Sequence, residues 1–319
     1  MTPEPSVWVE VPFQVQKPHH GLRVDSYLAA RLHRYSRSQV QRLISSGRVS
    51  LDRHGIKPST RVRDGETVVI RYPRHREPPC PHAELPVLFD DKTLLAVDKP
   101  AGLICHPTDK IHNNTATSIL KRQFPGQRLH LAHRLDRETS GVLILAKDPK
   151  TACALAGQFA GRQVRKEYLA LAAGRVLWKR KTGSESLGRE GLEIKVRQAV
   201  GRGSPAQTQF QTLASCARFS LVKASPKTGR LHQIRVHLAH LGHPVLGDKL
   251  YTGQGEIYMK AVRKTLDPRD LEHLGAARQM LHAWRLRLTH PTLGIPIDIK
   301  APLPDDFRGL LESAGLELP

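Results

Sequence analysis

Four prolines crowd into RHREPPCPHAELP, residues 74–86. Each lacks a backbone N–H and pushes the residue before it toward extended backbone, so neither a helix nor a central strand can run through the stretch. The chain is therefore expected to fold as two bodies, residues 1–75 and 87–319, joined by an extended linker at 76–86. With 319 residues and 39% apolar side chains, it is long enough to give each body a core of its own.

In the smaller body, VWVEVPFQV alternates like a strand, and Val24, Leu28 and Leu32 repeat on one helix face. A second helix follows directly: Ser36 and Gln39 fit a capping box, Val40, Leu43 and Ile44 supply the apolar stripe, and Gly47 stands where a left-handed cap would end it. RVSLDRHG and ETVVIRYP read as short strands with turns at His54-Gly55 and Asp64-Gly65. Arg34, Arg37, Arg42 and Arg48 surround the second helix. Such a run is commonly a solvated face, but Gly21 to Pro73, through YSRSQVQRLISSGRV and DGETVVI, resembles the alpha-L RNA-binding fold. That resemblance implies that the four arginines contact RNA.

The charge agrees with such a partner. Fifty Lys and Arg against twenty-nine Asp and Glu leave +21 at pH 7, far more than solubility needs, which points to a polyanion, with nucleic acid ahead of acidic membranes. No apolar run approaches the ~20 residues of a membrane helix, and MTPEPSVWVEV lacks the basic start and apolar block of a signal peptide. Cys80, Cys105, Cys153 and Cys216 contain no C-x-x-C pair, which argues against a zinc ribbon or a disulfide framework and for a reducing cytoplasm.

The larger body opens with VLFDDKTLLAVDKPAG, a strand ending near Asp98 and then a turn. GVLILAKD is a short strand of buried type. Asp148-Pro149 caps a helix through TACALAGQFAGRQ, KEYLALAAG resumes as strand, AQTQFQTLA and RFSLVKASP form a strand pair, and LHQIRVHLAHLG is a helix. The basic segment 175–205 reads as hairpin loops around one strand. Hairpins with interspersed helices indicate an α+β class.

Between LHLAHRL and RETSGVLIL, a loop carries Asp136 flanked by arginines. Loops held by rigid strands often bear reactive groups, and Thr139, Ser140 and Gly141 are expected to fix this one by local side-chain to backbone hydrogen bonds. Pattern alone favours a structural ion pair at Asp136, as most Asp–Arg neighbours are.

HRLDRETSGVLIL matches H-R-L-D-x-x-T-S-G, the active-site motif of the RluA-type pseudouridine synthases, which the chain resembles. LLAVDKPAGLICHP is similar to that family's first motif, KEYLAL to the block with its tyrosine, and KTGRLHQIRVHLAHLGHPVLGDKLY to its third motif; SPAQTQF and MLHAWRLRLTHP also fall in register. The resemblance implies a catalytic domain on a mostly antiparallel mixed β-sheet with flanking helices and loops, which isomerises uridine in RNA to its C-glycoside without metal or cofactor. Asp136 would be the essential acid, Arg235 the cation beside it, and Tyr168 the ring stacked on the target uracil. Arg134 would enter the space left by the flipped nucleotide and His133 would position the loop, while Lys99, Thr228, Arg230 and His232 would line the RNA backbone path.

A cytoplasmic monomer acting on large-subunit ribosomal RNA is expected, with transfer RNA as the alternative substrate. A non-catalytic RNA-binding or ribosome-assembly protein is opposed by the intact set Asp136, Tyr168 and Arg235. A metal-dependent hydrolase would need carboxylates beside His237, His240 and His243, and the local sequence supplies none.

Overall fold

The computed structural model describes residues 7–316 apart from 33–34, 53–54, 75–76, 78–79, 109–110 and 190–193. The chain divides into two compact units, Met1–Pro78 and Pro79–Pro319. Arg34 and His54 lie outside the described residues.

In the first unit, β1 (Val7–Gln14), α1 (Val24–Arg31), α2 (Arg37–Ser45), β2 (Val49–Ser50) and β3 (Thr67–Arg74) follow in order, and the strands make an antiparallel sheet in the order β1-β3-β2. Val24, Tyr27 and Leu28 of α1 pack with Val40 and Ile44 of α2, Val68 and Ile70 of β3. The capping box is present in full: Gln39 N–H donates to Ser36 Oγ, and Ser36 N–H donates to Gln39 Oε1. Asp25 is fully buried between the helices and accepts from the Arg23 and Arg37 guanidinium groups and from Gln41 Nε2. The Arg23 hydrogen bonds, seconded by Gln41 and Arg37, hold its carboxyl far below the usual range against the effect of desolvation. Arg37 thus ties α2 to α1, while Arg42 and Arg48 stand exposed, Arg48 lying 5.9 Å from the Trp8 ring.

The second unit contains β4 (Val87–Asp90), β5 (Leu94–Lys99), α3 (Ala116–Gln123), β6 (His130–Leu131), β7 (Ser140–Ala146), α4 (Pro149–Ala160) and β8 (Arg165–Ala173). It continues with β9 (Arg180–Gly183), β10 (Leu187–Gly188), β11 (Ala199–Val200), β12 (Thr208–Ser215), β13 (Phe219–Pro226), α5 (Gln233–His240), α6 (Glu256–Arg263), α7 (Pro268–Leu274), β14 (Leu281–Thr289), β15 (Pro296–Lys300) and α8 (Asp305–Ser313). Among the described residues the main sheet has ten strands, ordered β4-β5-β7-β14-β8-β13-β12-β9, with β6 on β7 and β15 on β14. The β14–β7 pairing is parallel and the others antiparallel, the mixed α+β sheet that was expected. The segment 175–205 differs from expectation, since among the described residues it holds three short strands, of which β10 and β11 form a separate two-stranded sheet.

The apolar run GVLILA makes sense at the centre of this sheet, because β7 is buried on both faces. Leu143 and Leu145 join Leu95, Val97, Ile119 and Leu120 on the α3 side, and Val142 and Ile144 join Leu94, Ala96 and Leu155 on the α4 side. Leu85, inside the expected linker, is buried on α3, with its N–H and carbonyl both bonded to the Gln123 amide. Where β7 begins, Gly141 adopts φ +109°, and a Cβ there would come within 2.3 Å of the Ala283 carbonyl oxygen on β14. Any side chain would force apart the parallel pair on which the preceding loop rests.

Gly141→Ala is expected to cost about 3 kcal/mol or more in denaturant unfolding, through strain and overpacking. Gly157→Ala, on the open face of α4 with nothing near its Cβ position, is expected to stabilise by about 0.5 kcal/mol. Equal midpoints for the two variants would contradict the close approach at Gly141.

Candidate active site

Asp136 sits in the β6–β7 loop, and its carbonyl accepts the Thr139 N–H at 3.1 Å. The side chains after it act across the sheet, not locally as expected. Thr139 Oγ1 accepts from Gln279 Nε2 at 2.7 Å, and Ser140 Oγ bonds His282 Nδ1 at 2.9 Å. Arg278 donates to the Glu138 carbonyl while its other nitrogens grip Asp306, and Glu138 itself takes the Gln279 N–H and the Lys249 ammonium. On the other side, Cys105 Sγ both donates to the Leu135 carbonyl and accepts its N–H, each at 3.3 Å. His133 Nε2 accepts the Ile144 N–H and its ring stacks on Phe159.

Lys99 does not face an RNA path. It is fully buried, and its ammonium donates to the carbonyls of Pro100, Leu103 and Arg137, clamping the loop from below. Its pKa falls to about 8, chiefly because burial disfavours the charge. Thr228 does line the cavity that holds Asp136, with its hydroxyl bonded to Gln233 Oε1 and to the Gln207 N–H. Lys99 and Thr228 share a cause: polar side chains near a strand end satisfy buried backbone and amide groups before solvent-facing ones.

The Asp136 side chain opens on a cavity of about 700 Å³ whose lining includes Arg134, Tyr168, Lys166, Arg230, His232 and Arg235. Arg235 NH1 donates to Asp136 Oδ2 at 2.7 Å. Its remaining nitrogens are fixed on Asp248, Nε to Oδ2 at 2.6 Å and NH2 to Oδ1 at 2.8 Å, and Asp248 in turn accepts the N–H groups of Leu250 and Tyr251. Burial works against the guanidinium charge, and the two carboxylates, Asp248 foremost, more than offset it, so the Arg235 pKa rises. Tyr168, on β8, is partly buried; desolvation first and the Asp136 charge second raise its phenol pKa. His232, expected on the backbone path, sits beside the acid, with Nε2 3.9 Å from Asp136 Oδ2. Arg134 and Arg230 are exposed at the cavity, where charge can meet a polyanion.

A relative from Nitrosomonas europaea, ribosomal large subunit pseudouridine synthase D, is 35% identical over 301 residues, covering 92% of this chain and 84% of its own. A sequence model described as RNA pseudouridylate synthase matches residues 93–240. The chain belongs to the RNA pseudouridylate synthase family. A second synthase D, from Xanthomonas campestris, is 33% identical and covers 92% of this chain and 89% of its own. The solved structure of human RNA pseudouridylate synthase domain containing 4 superposes with a TM-score of 0.59 at 28% identity, covering 73% of this chain and 94% of that one. An S4 domain model matches residues 22–68 of the first unit.

Within this synthase, sequence reasoning missed Asp248, Gln279, Tyr251 and Lys166. Asp248 lies in the quoted GDKLY, where a buried acid thirteen residues beyond an arginine was the available signal; Gln279 and Lys166 carried none. Of the three clustered histidines, His237 Nδ1 bonds Thr208 Oγ1, His243 Nδ1 bonds the Ala173 carbonyl, and His240 is exposed. Among the described residues, no group of three His, Cys, Asp or Glu could hold a metal, and no helix is long and apolar enough to cross a membrane.

Burial lowers the pKa of His133, His232 and His282 from 6.5 to about 4 each. An unfolded chain therefore binds more protons than the folded one between those values, and stability must fall as pH drops through that window. Asp98, pushed up to about 6 by burial, works in the opposite direction, and three groups outweigh one. For fully buried His282 the complete loss is on the order of 3 kcal/mol. Unfolding free energy is expected to decline from pH 7 to pH 4.5, less steeply in His282→Gln; a parent equally stable at both values would contradict neutral buried rings.

Proposed function

We propose that this RNA pseudouridine synthase converts selected uridines of large-subunit ribosomal RNA to pseudouridine, as a monomer in the cytoplasm. The two synthase D relatives, aligned over nearly their whole length, support the ribosomal assignment, as does the S4 match in a chain of +21 charge.

The observation that carries the reading is the Asp136 to Arg235 pair at the cavity wall. Converting uridine to its C-glycoside breaks the N1–C1′ bond, forms a C5–C1′ bond, and moves a proton from C5 to N1 with no net loss of atoms or electrons. A carboxylate at the sugar edge serves this whether it bonds to C1′ or takes the C2′ proton. Arg235, fixed by Asp248, gives that carboxylate a permanent cationic partner and one defined orientation. Tyr168 offers the uracil a flat apolar wall, with a hydroxyl that stays protonated. The reacting atoms are unreachable inside a stacked helix, so the nucleotide must be everted, at a cost of a few kcal/mol. Exposed Arg134, two residues from the acid, is placed to fill the space it leaves.

Asp136→Asn keeps shape and hydrogen-bonding capacity but lacks the anion. It is expected to bind ribosomal RNA as the parent does and to form no pseudouridine; product at the parental rate would remove the catalytic assignment. Arg42→Ala combined with Arg48→Ala is expected to weaken RNA binding and to flatten the slope of log affinity against log salt by roughly 1.5, as two lost phosphate contacts should. An unchanged slope would exclude these two arginines from the RNA interface.

A further inference from the structure

His232 has a backbone and a set of partners that capping or packing does not explain. It precedes α5 in the left-handed region, φ +56° and ψ +17°, which costs energy for a residue other than glycine. Its side chain makes no cap bond to the helix it precedes. Instead Nδ1 lies 2.9 Å from the Tyr251 hydroxyl, while Nε2 points toward Asp136 Oδ2 at 3.9 Å. The Tyr251 oxygen also receives the Gln198 N–H at 3.0 Å, from the loop leading into β11. The ring of Tyr251 meets the His232 ring edge to face and lies 5.1 Å from the Arg235 guanidinium carbon.

One proton arrangement joins all of these contacts in a single direction. In it the nitrogen facing Asp136 carries the hydrogen, because a carboxylate oxygen only accepts, and Nδ1 is a lone-pair acceptor. Tyr251, already accepting from Gln198, donates its O–H to Nδ1. The chain of donors thus runs in one direction: Gln198 N–H, Tyr251 O–H, His232 Nε2–H, Asp136.

We propose that His232 is a positioning residue for the Asp136 carboxylate, held by Tyr251 as a neutral ring with its proton on Nε2, and that this relay, with Arg235, fixes the carboxylate in its reactive orientation. The inference rests on Asp136 being the catalytic acid. Arg235 and His232 approach the same oxygen, Oδ2, both from the N-terminal end of α5, which leaves Oδ1 free for the ribose. At 3.9 Å the histidine contact is longer than a hydrogen bond, and the relay requires it to shorten in the RNA complex. The basic segment that contains Gln198 thereby touches the acid through two side chains, although it lies outside the motif loops.

The test is single-turnover conversion of a ribosomal RNA substrate by the full chain at saturating enzyme, with RNA affinity and thermal melting measured on the same samples. Tyr251→Phe keeps the ring against His232 and Arg235 and removes the oxygen; it is expected to bind RNA normally and convert it about 10- to 100-fold more slowly. His232→Ala is expected to be slowed to the same extent. His232→Gln, whose amide can place an N–H near the Nε2 position, is expected to recover most of the rate. Parental conversion by Tyr251→Phe overturns the relay, and that readout stands even if His232→Ala fails to fold. Loss of RNA affinity without loss of saturated rate in His232→Ala also overturns it, by making the residue a phosphate contact. An Asp136→Asn control separates the two levels: if it stays active the reading of the acid fails, whereas an inactive control beside a fully active Tyr251→Phe sinks the relay alone.

Discussion

A single guanidinium shared by two carboxylates sets the geometry of this protein's active site. Arg235 is nearly buried, and taking any ion out of water costs several kcal/mol. Asp248 offsets that cost with two hydrogen bonds in the planar, two-pronged arrangement that a guanidinium favours. Because two of its nitrogens are committed to Asp248, the third can point in one direction, and Asp136 stands there. Asp248 is fixed in turn by the backbone N–H groups of Leu250 and Tyr251. Orientation of the acid is therefore inherited from α5 and the chain that follows it, not from its own loop.

The loop contributes rigidity of a complementary kind. It is tied to β14 and the residues before it through Thr139, Ser140, Glu138 and the Arg278–Asp306 pair, and to the end of β5 through Lys99. These anchors lie far apart in sequence and meet because β7 runs between β5 and β14 in the middle of the sheet. A carboxylate oriented by Arg235 on a loop anchored to both neighbouring strands loses little orientational freedom when substrate arrives, which is how a scaffold lowers the entropic part of a barrier.

Much of this was legible beforehand, for reasons that can be named. The Ser36 capping box, the Asp148-Pro149 start of α4 and the apolar run of β7 are local signals, and each element lies where those signals put it. The triad Asp136, Tyr168 and Arg235 was found because ordered motifs pointed to it. Lys99 was misplaced because its partners are backbone carbonyls, and sequence spacing likewise does not reveal that Thr228 bonds an amide and His232 a phenol. The short helix α3, opened by Thr115, was overlooked in a segment whose polar residues hid a three-residue apolar face, Ala116, Ile119 and Leu120. Arg37 was read as an RNA contact, and its bond to buried Asp25 became visible only when the two helices were folded together.

The central claim is that this cavity removes the proton at C5 of an RNA uridine and returns the same base as a C-glycoside. Tritium release measures that directly: large-subunit ribosomal RNA labelled at C5 of uridine is incubated with the purified protein, and label reaching water is counted against the mass of the digested nucleosides. The account requires tritium in water in step with a new nucleoside isomeric with uridine. Intact RNA binding with all label retained on C5 would contradict it.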